Sequence, residues 1–415
     1  MNSPDSSTPP ETDNRKLQSV KKMKAIMTDY YVEAKTAAQA GRQVAWITSG
    51  GPVEPLIAMD IIPVYPENHG AMIGASKMGD DLCAKAAEMG YSDDLCAYAR
   101  ADIACAPIDG GPIGGLPKPD MLVCCNNICG TVLKWYEVQA RYFNVPLFIL
   151  DTPCCHTRFS DQARRYVRGQ LDEYIQFLET VAGRGMNHDR LTDAGRLSIA
   201  GQRLWQAVLD TTANRPAPMS AFDAFFHLAL IVTLRGKQVV VDYYTELLAE
   251  LNARVAVGIG AVAPERFRLL WDNLPIWHRT KWLSQKFAAR QACLVADTYT
   301  SAWCGTLKYL DESDFLNSMA DGYTRIYLNI GIDQMAESVI QMIDKYHIDA
   351  MVLHSNRSCK PYSFGQYDIE RAVRKKCGIP TLMIEADMAD GRNFSESQID
   401  TRIDAFMELL EAGQS

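Results

Sequence analysis

The sequence predicts an α/β protein of two related, doubly wound parallel-sheet domains, with a helical N-terminus and a helical middle region. Three observations carry this. Short apolar runs bounded by turn residues alternate with helical periodicity in two separate stretches. The segment between them has helical periodicity and no strong strand signal. The two stretches also echo each other. One reads Asp120, an apolar run, Asn127, Cys129, a helix, Val145-Pro146 and a run ending at Asp151. The other reads Asp349, an apolar run, Asn356, Cys359, a helix, Ile379-Pro380 and a run ending before Asp387.

Taken in order, residues 1–13 are polar and Pro-rich and read as a disordered tail. Residues 14–40 read as an N-terminal helix stopping at Gly41. The first α/β domain covers 41–160. Its first strand, 43–49, is stopped by Gly50-Gly51-Pro52, and a second, 61–65, leads into Pro66-Glu67-Asn68-His69-Gly70. After a loop at 110–117 come a strand (121–125), a turn (126–130), a helix (131–143) and a strand (145–150). The helical region covers 161–264, broken at Pro216 and Pro218. The second α/β domain covers 265–415. Its expected strands are 266–271, 292–296, 350–354 and 381–385, with helices near 279–290, 332–346, 365–376 and 397–411.

Composition narrows the function. Of 415 residues, 47% are hydrophobic and 22% charged, which suits a globular chain. The net charge of -8 argues against nucleic-acid and anionic-membrane partners, which would repel it on average. The start has no basic segment followed by an apolar run, and no apolar stretch approaches a membrane span. A cytoplasmic location is therefore expected, and its twelve cysteines are then small buried hydrophobes or cluster ligands rather than disulfides.

No Cys-x-x-Cys pair exists, so a zinc ribbon or bacterial ferredoxin is a poor reading. Cys129 and Cys359 stand after a strand and at a helix start, where sheets of this kind bind ligands and where a thiolate is favoured. Position alone leaves them as ligands or packing. Cys293 and Cys377 read as core or helix-face residues, and Cys154 and Cys155 stay open. His69 is the one histidine beside another candidate polar group, Glu67. No P-loop occurs, so no nucleotide site is expected, and no Gly-x-Ser-x-Gly elbow is present. Trp135, Tyr136, Trp271 and Trp277 read as core.

Longer motifs carry a resemblance. They are Val64-Tyr65-Pro66-Glu67-Asn68-His69, the run from Met89 to Arg100 with Asp93 and Cys96, and Cys124-Cys125-Asn126-Asn127-Ile128-Cys129 followed by Lys134-Trp135-Tyr136-Glu137. Asn356-Arg357-Ser358-Cys359-Lys360-Pro361 and Asp390-Gly391-Arg392-Asn393-Phe394 complete the set. In this order, from about residue 25 to the C-terminus, the chain resembles the α-subunit of the ATP-activated 2-hydroxyacyl-CoA dehydratases. The wider superfamily includes class I benzoyl-CoA reductases.

The resemblance implies a [4Fe-4S] cluster on Cys96, Cys129 and Cys359, with one iron open to the thioester carbonyl. It matches Ser49 to a serine that donates to the developing ketyl oxygen, and Glu67 to a glutamate that handles the substrate hydroxyl or a proton. The plainer alternatives are a turn or cap for Ser49 and a solvated loop carboxylate for Glu67. The implied partners are a smaller related iron–sulfur subunit, a separate ATP-hydrolysing activator and an acyl-CoA or aryl-CoA substrate. The implied reaction is one-electron reduction of a CoA thioester to a ketyl radical, loss of water and release of an enoyl-CoA. Whether Cys125, Cys154 or Cys155 joins a larger iron–sulfur cluster stays open.

Two departures bear on the reaction. Gly50-Gly51 replaces a bulkier pair, and Tyr362-Ser363-Phe364-Gly365-Gln366 follows Cys359-Lys360-Pro361 in place of the usual Trp-Ser-Gly. Both are expected near the pocket, where small residues admit a larger or aromatic acyl group. A dearomatising aryl-CoA reductase subunit is therefore the alternative enzyme, and a non-catalytic α/β partner subunit the alternative from another class.

Overall fold

A computed structural model describes residues 16–108, 110–157 and 159–413. The expected tail, 1–13, lies outside the described residues. Eight strands form two four-stranded sheets, and every pairing is parallel. The first holds β1 (Val44–Ile47), β2 (Ile62–Val64), β3 (Met121–Cys125) and β4 (Leu147–Leu150), in the order β2-β1-β3-β4. The second holds β5 (Phe267–Asp272), β6 (Ala292–Asp297), β7 (Ala350–Asn356) and β8 (Thr381–Ala386), in the order β6-β5-β7-β8. These are one topology twice. In each, the chain leaves the first strand to one side, then crosses to the other.

The pairing repeats in detail. The Asp120 carboxylate accepts the Val44 N–H at 2.7 Å, and the Asp120 N–H returns a bond to the Val44 carbonyl at 2.8 Å. Asp349 does the same with Arg268, at 2.8 Å both ways. The Pro146 carbonyl accepts from Leu122 at 2.9 Å, and the Pro380 carbonyl from Met351 at 3.0 Å. An aspartate before the third strand and a proline before the fourth thus set register in both sheets. Proline suits the second place because it needs only its carbonyl.

All eight expected strands form within a few residues of the expected bounds. Strands β1, β3, β5 and β6 are buried along their whole length, as parallel strands covered on both faces must be. The N-terminal helix is shorter than expected. It spans Ser19–Lys35, and a 3-10 turn, Ala38–Ala40, follows before Gly41 at φ 67° ends it. The helical middle contains Asp161–Ala182, His188–Asp210 and Gln238–Ala256, with the first two capped by the side chains of Ser160 and Asn187. Between β2 and β3 lie three helices that the sequence pattern did not assign: Pro66–Ala75, Gly79–Glu88 and Ala97–Cys105. One hydrophobic core runs through both sheets, from Trp46 on β1 to Trp271 on β5, so the two regions pack as one body.

Candidate active site

The segments following β1, β3, β5, β6, β7 and β8 line one cavity of about 240 Å³. Each sheet reverses its winding between its two central strands, and the carboxyl ends there are the ligand-binding place in such folds. Ser49, Glu67, Cys96, Cys129 and Cys359 all line this cavity. Side chains more than 300 residues apart in sequence are thereby brought together.

The three cysteines share a setting. Each is the residue immediately before a helix: Cys96 before Ala97–Cys105, Cys129 before Gly130–Phe143, and Cys359 before Lys360–Ser363. Burial pushes the Cys96 thiol up to about 12, and nearby Cys129 adds to this, while the N–H groups of Ala99 and Tyr98 oppose it. Burial also raises Cys129, against the N–H groups of Val132 and Thr131. Cys359 is raised by burial and then by both other cysteines. Three thiols close enough to repel one another as thiolates, in an apolar cavity, make a donor set suited to a cationic iron–sulfur core. Among the described residues no three His, Cys, Asp or Glu side chains converge tightly enough for a single ion.

Buried polar bonds hold the two regions together at this point. The Ala97 N–H donates to Ser358 Oγ at 3.1 Å, tying the Cys96 segment to the Cys359 segment. Arg100, 2% exposed, bridges Asp93 at 2.7 Å and Asp390 at 3.1 Å, and Arg392 joins the same two carboxylates. Burial works against the Asp390 charge, yet bonds from Arg392 and the charge of Arg100 hold its carboxyl below the usual range. The Asp93-to-Arg100 and Asp390-Gly391-Arg392 motifs are therefore a clamp across the two halves.

Glu67 sits in the first turn of Pro66–Ala75, not in a solvated loop. The Ser49 backbone N–H donates to its Oε1 at 3.1 Å, and the Tyr136 hydroxyl donates to its Oε2 at 3.0 Å. Burial pushes its carboxyl from 4.5 to about 7; these hydrogen bonds pull the other way, and Asp102 adds a smaller push upward. It can therefore give or take a proton near neutrality. Ser49 lies in the turn after β1, with its neighbour Gly50 on the cavity wall.

Several residues were not foreseen. Tyr136, read as core, is the hydroxyl that holds Glu67, and Trp135 lines the cavity. Arg235 and Glu54 form a buried pair at 3.3 Å on the wall. The only sequence hint was an arginine closing the apolar run Ile231-Val232-Thr233-Leu234. His69, by contrast, is buried off the cavity with Nδ1 3.7 Å from Asp102. Cys124, Cys125, Cys154 and Cys155 do not line the cavity either.

The two departures behave differently. A Cβ on Gly50 would meet Ile128 at 3.6 Å, an ordinary contact, so glycine there only widens the cavity. A Cβ on Gly51 would lie 2.7 Å from Ile47, so packing of the turn demands that glycine. In the stretch 362–366, Tyr362 lines the cavity as expected, whereas 363–366 does not, because Ser363 and Gln366 are bonded back to the second sheet. Ser363 Oγ bonds Asn356, and Gln366 donates to Asp272 at 2.7 Å.

Comparison with known proteins identifies the family. The family model for the 2-hydroxyglutaryl-CoA dehydratase D-component matches residues 48–410. The α-subunit of (R)-2-hydroxyisocaproyl-CoA dehydratase from Clostridioides difficile is 32% identical, over 93% of this chain and 94% of its own. The α-subunit of lactoyl-CoA dehydratase from Anaerotignum propionicum is 31% identical, over 92% and 94%. A benzoyl-CoA reductase subunit from Thauera aromatica is 27% identical, over 96% of each. No described helix is long and apolar enough to cross a membrane. The chain belongs to the 2-hydroxyglutaryl-CoA dehydratase D-component family of enzymes.

Proposed function

We propose that this chain is the iron–sulfur catalytic subunit of a 2-hydroxyacyl-CoA dehydratase. It would reduce a CoA thioester by one electron to a ketyl radical and eliminate water to an enoyl-CoA. The observation that carries the reading is the meeting of Ser49, Glu67, Cys96, Cys129 and Cys359 on one apolar cavity. Cys96, Cys129 and Cys359 would hold a [4Fe-4S] cluster. When bound, such a cluster supplies a single electron and a Lewis-acidic iron for the thioester carbonyl.

The chain's own residues do the rest. The Ser49 hydroxyl donates to the carbonyl oxygen as charge builds on it. Glu67, near neutral, gives its proton to the departing hydroxyl, which leaves as water. The resulting carboxylate then takes the β-proton and is restored. The Ser49 N–H and Tyr136 hydroxyl keep that carboxylate aimed in both protonation states. Apolar walls, including Ile128, Trp135 and Tyr299, exclude water from a reactive radical. The electron would come from a separate ATP-hydrolysing activator, and a smaller iron–sulfur subunit would complete the enzyme. The relatives are themselves named as subunits of larger enzymes, which supports such a partner.

Gly50 favours a second reading, a dearomatising aryl-CoA reductase, because it opens the wall beside Ser49. ATP consumption per product separates the two. A dehydratase recycles its electron, so ATP use after activation stays far below stoichiometric. Stoichiometric ATP use without water loss would overturn the dehydratase and leave the reductase.

A further inference from the structure

The short helix after β1, Glu54–Ala58, presents to the cavity a polar group that the proposed reaction does not use. Glu54 is 3% exposed and lines the wall. Its Oε1 accepts from Ser198 Oγ at 2.6 Å and from Arg235 Nε at 3.3 Å. Its Oε2 is buried and has no hydrogen-bond partner. Arg235, 6% exposed, balances the charge, and its other bonds run to the Gly51 carbonyl at 2.7 Å and Tyr323 Oη at 3.5 Å. Gln202 lies one helical turn beyond Ser198 and lines the same wall. Trp303, under the Arg235 guanidinium at 5.8 Å, and Tyr323 make the surroundings aromatic.

A buried carboxylate oxygen without a donor is costly, so such an atom marks where a ligand donor belongs. The pair is already neutral, so a second cation is not called for, but a neutral O–H or N–H is. Resting on the acyl-CoA reading above, we infer that Glu54 Oε2 accepts a hydrogen bond from the far end of the acyl group. The substrate class is then an aromatic acyl-CoA bearing a ring hydroxyl or N–H. Glu54 is a specificity residue, and Ser198 and Arg235 position it.

Calorimetric titration of the anaerobically purified protein, with any subunit that co-purifies, tests this. The probes are p-hydroxyphenylpropanoyl-CoA and phenylpropanoyl-CoA, which lack a 2-hydroxyl and so cannot be dehydrated. The phenol is expected to bind at least about tenfold tighter, as one hydrogen bond to a charged group implies. Its absorbance is expected to shift to the red on binding. Glu54→Gln turns an amide donor toward the cavity and brings the two affinities within about twofold. If that variant fails to fold, the spectrum of the wild-type complex decides, and an unshifted phenol overturns the subsite. Equal binding of the two probes overturns the subsite and leaves the acyl-CoA reading standing. Binding of neither overturns that reading and the subsite with it.

Discussion

Sheets β2-β1-β3-β4 and β6-β5-β7-β8 follow one strand order, and each sends its third strand into a turn that ends on a cysteine. Beyond that they differ. The first region leaves its polar groups open to the cavity: Ser49 after β1, and Glu67 on the helix after β2. In the second, the corresponding ends are closed. Asp272 at the end of β5 is bonded by Thr298 and Gln366, and Asp297 at the end of β6 caps its own helix through Thr300. Burial pushes these carboxyls up to about 6 and about 7, but neither lines the cavity. Both carboxylates on the cavity wall, Glu54 and Glu67, precede β3, whereas the second region contributes Cys359 and aromatic wall. A duplicated topology supplies two ligand-binding crevices. Chemistry then needs only one of them to keep unspent hydrogen-bonding groups.

The largest expected effect tests what the two regions share. Cys129→Ala and Cys359→Ala should each abolish cluster iron and activity, measured as iron per chain and turnover. A normal cluster in either would break the symmetry. The next effect tests what they do not share. Glu67→Gln should lower kcat by about 10²–10⁴ while iron stays bound, as expected when a general acid–base group is lost. Ser49→Ala should cost about 10²–10³ in kcat, the usual loss for one oxyanion donor. It should keep the pH profile, because the Ser49 backbone N–H still holds Glu67.

Weaker effects concern how the halves are joined and how pH acts. Arg100→Ala removes the link across the halves but leaves Asp390 paired with Arg392, and should cost about 1–3 kcal/mol, read as a lower melting temperature. Glu67 also sets a pH dependence. Its folded pKa, about 7, lies above its ordinary 4.5. The stability it contributes is full below 4.5 and is lost as pH rises through 7. Wild type should therefore lose stability between pH 4.5 and about pH 7 relative to Glu67→Gln, compared by thermal unfolding at each pH.

Much of this was legible beforehand. Parallel strands here are short apolar runs bounded by turn residues, so all eight could be read directly, including β4 and β8, which are only partly buried. The Asp120 and Asp349 echo is visible because one backbone hydrogen-bond problem is solved the same way twice. Cys96 was not legible from position: it precedes a helix between β2 and β3 and follows no strand, so only the longer motif pointed to it. Tyr136 and Arg235 could not be told from core residues, because a buried tyrosine or arginine announces its partner only in three dimensions. The 363–366 stretch misled for a similar reason. Nearness to Cys359 in sequence said nothing about which way the chain turns, and Ser363 turns it inward onto Asn356.

Cysteines from both regions are proposed to hold one cluster in the shared cavity. Iron analysis with Mössbauer spectroscopy on the anaerobically reconstituted protein tests this most directly. The expected result is about four irons per chain in a [4Fe-4S] signature for the wild type, lost in Cys359→Ala while the variant still folds. A wild-type chain without iron, or full cluster occupancy in Cys359→Ala, would contradict it.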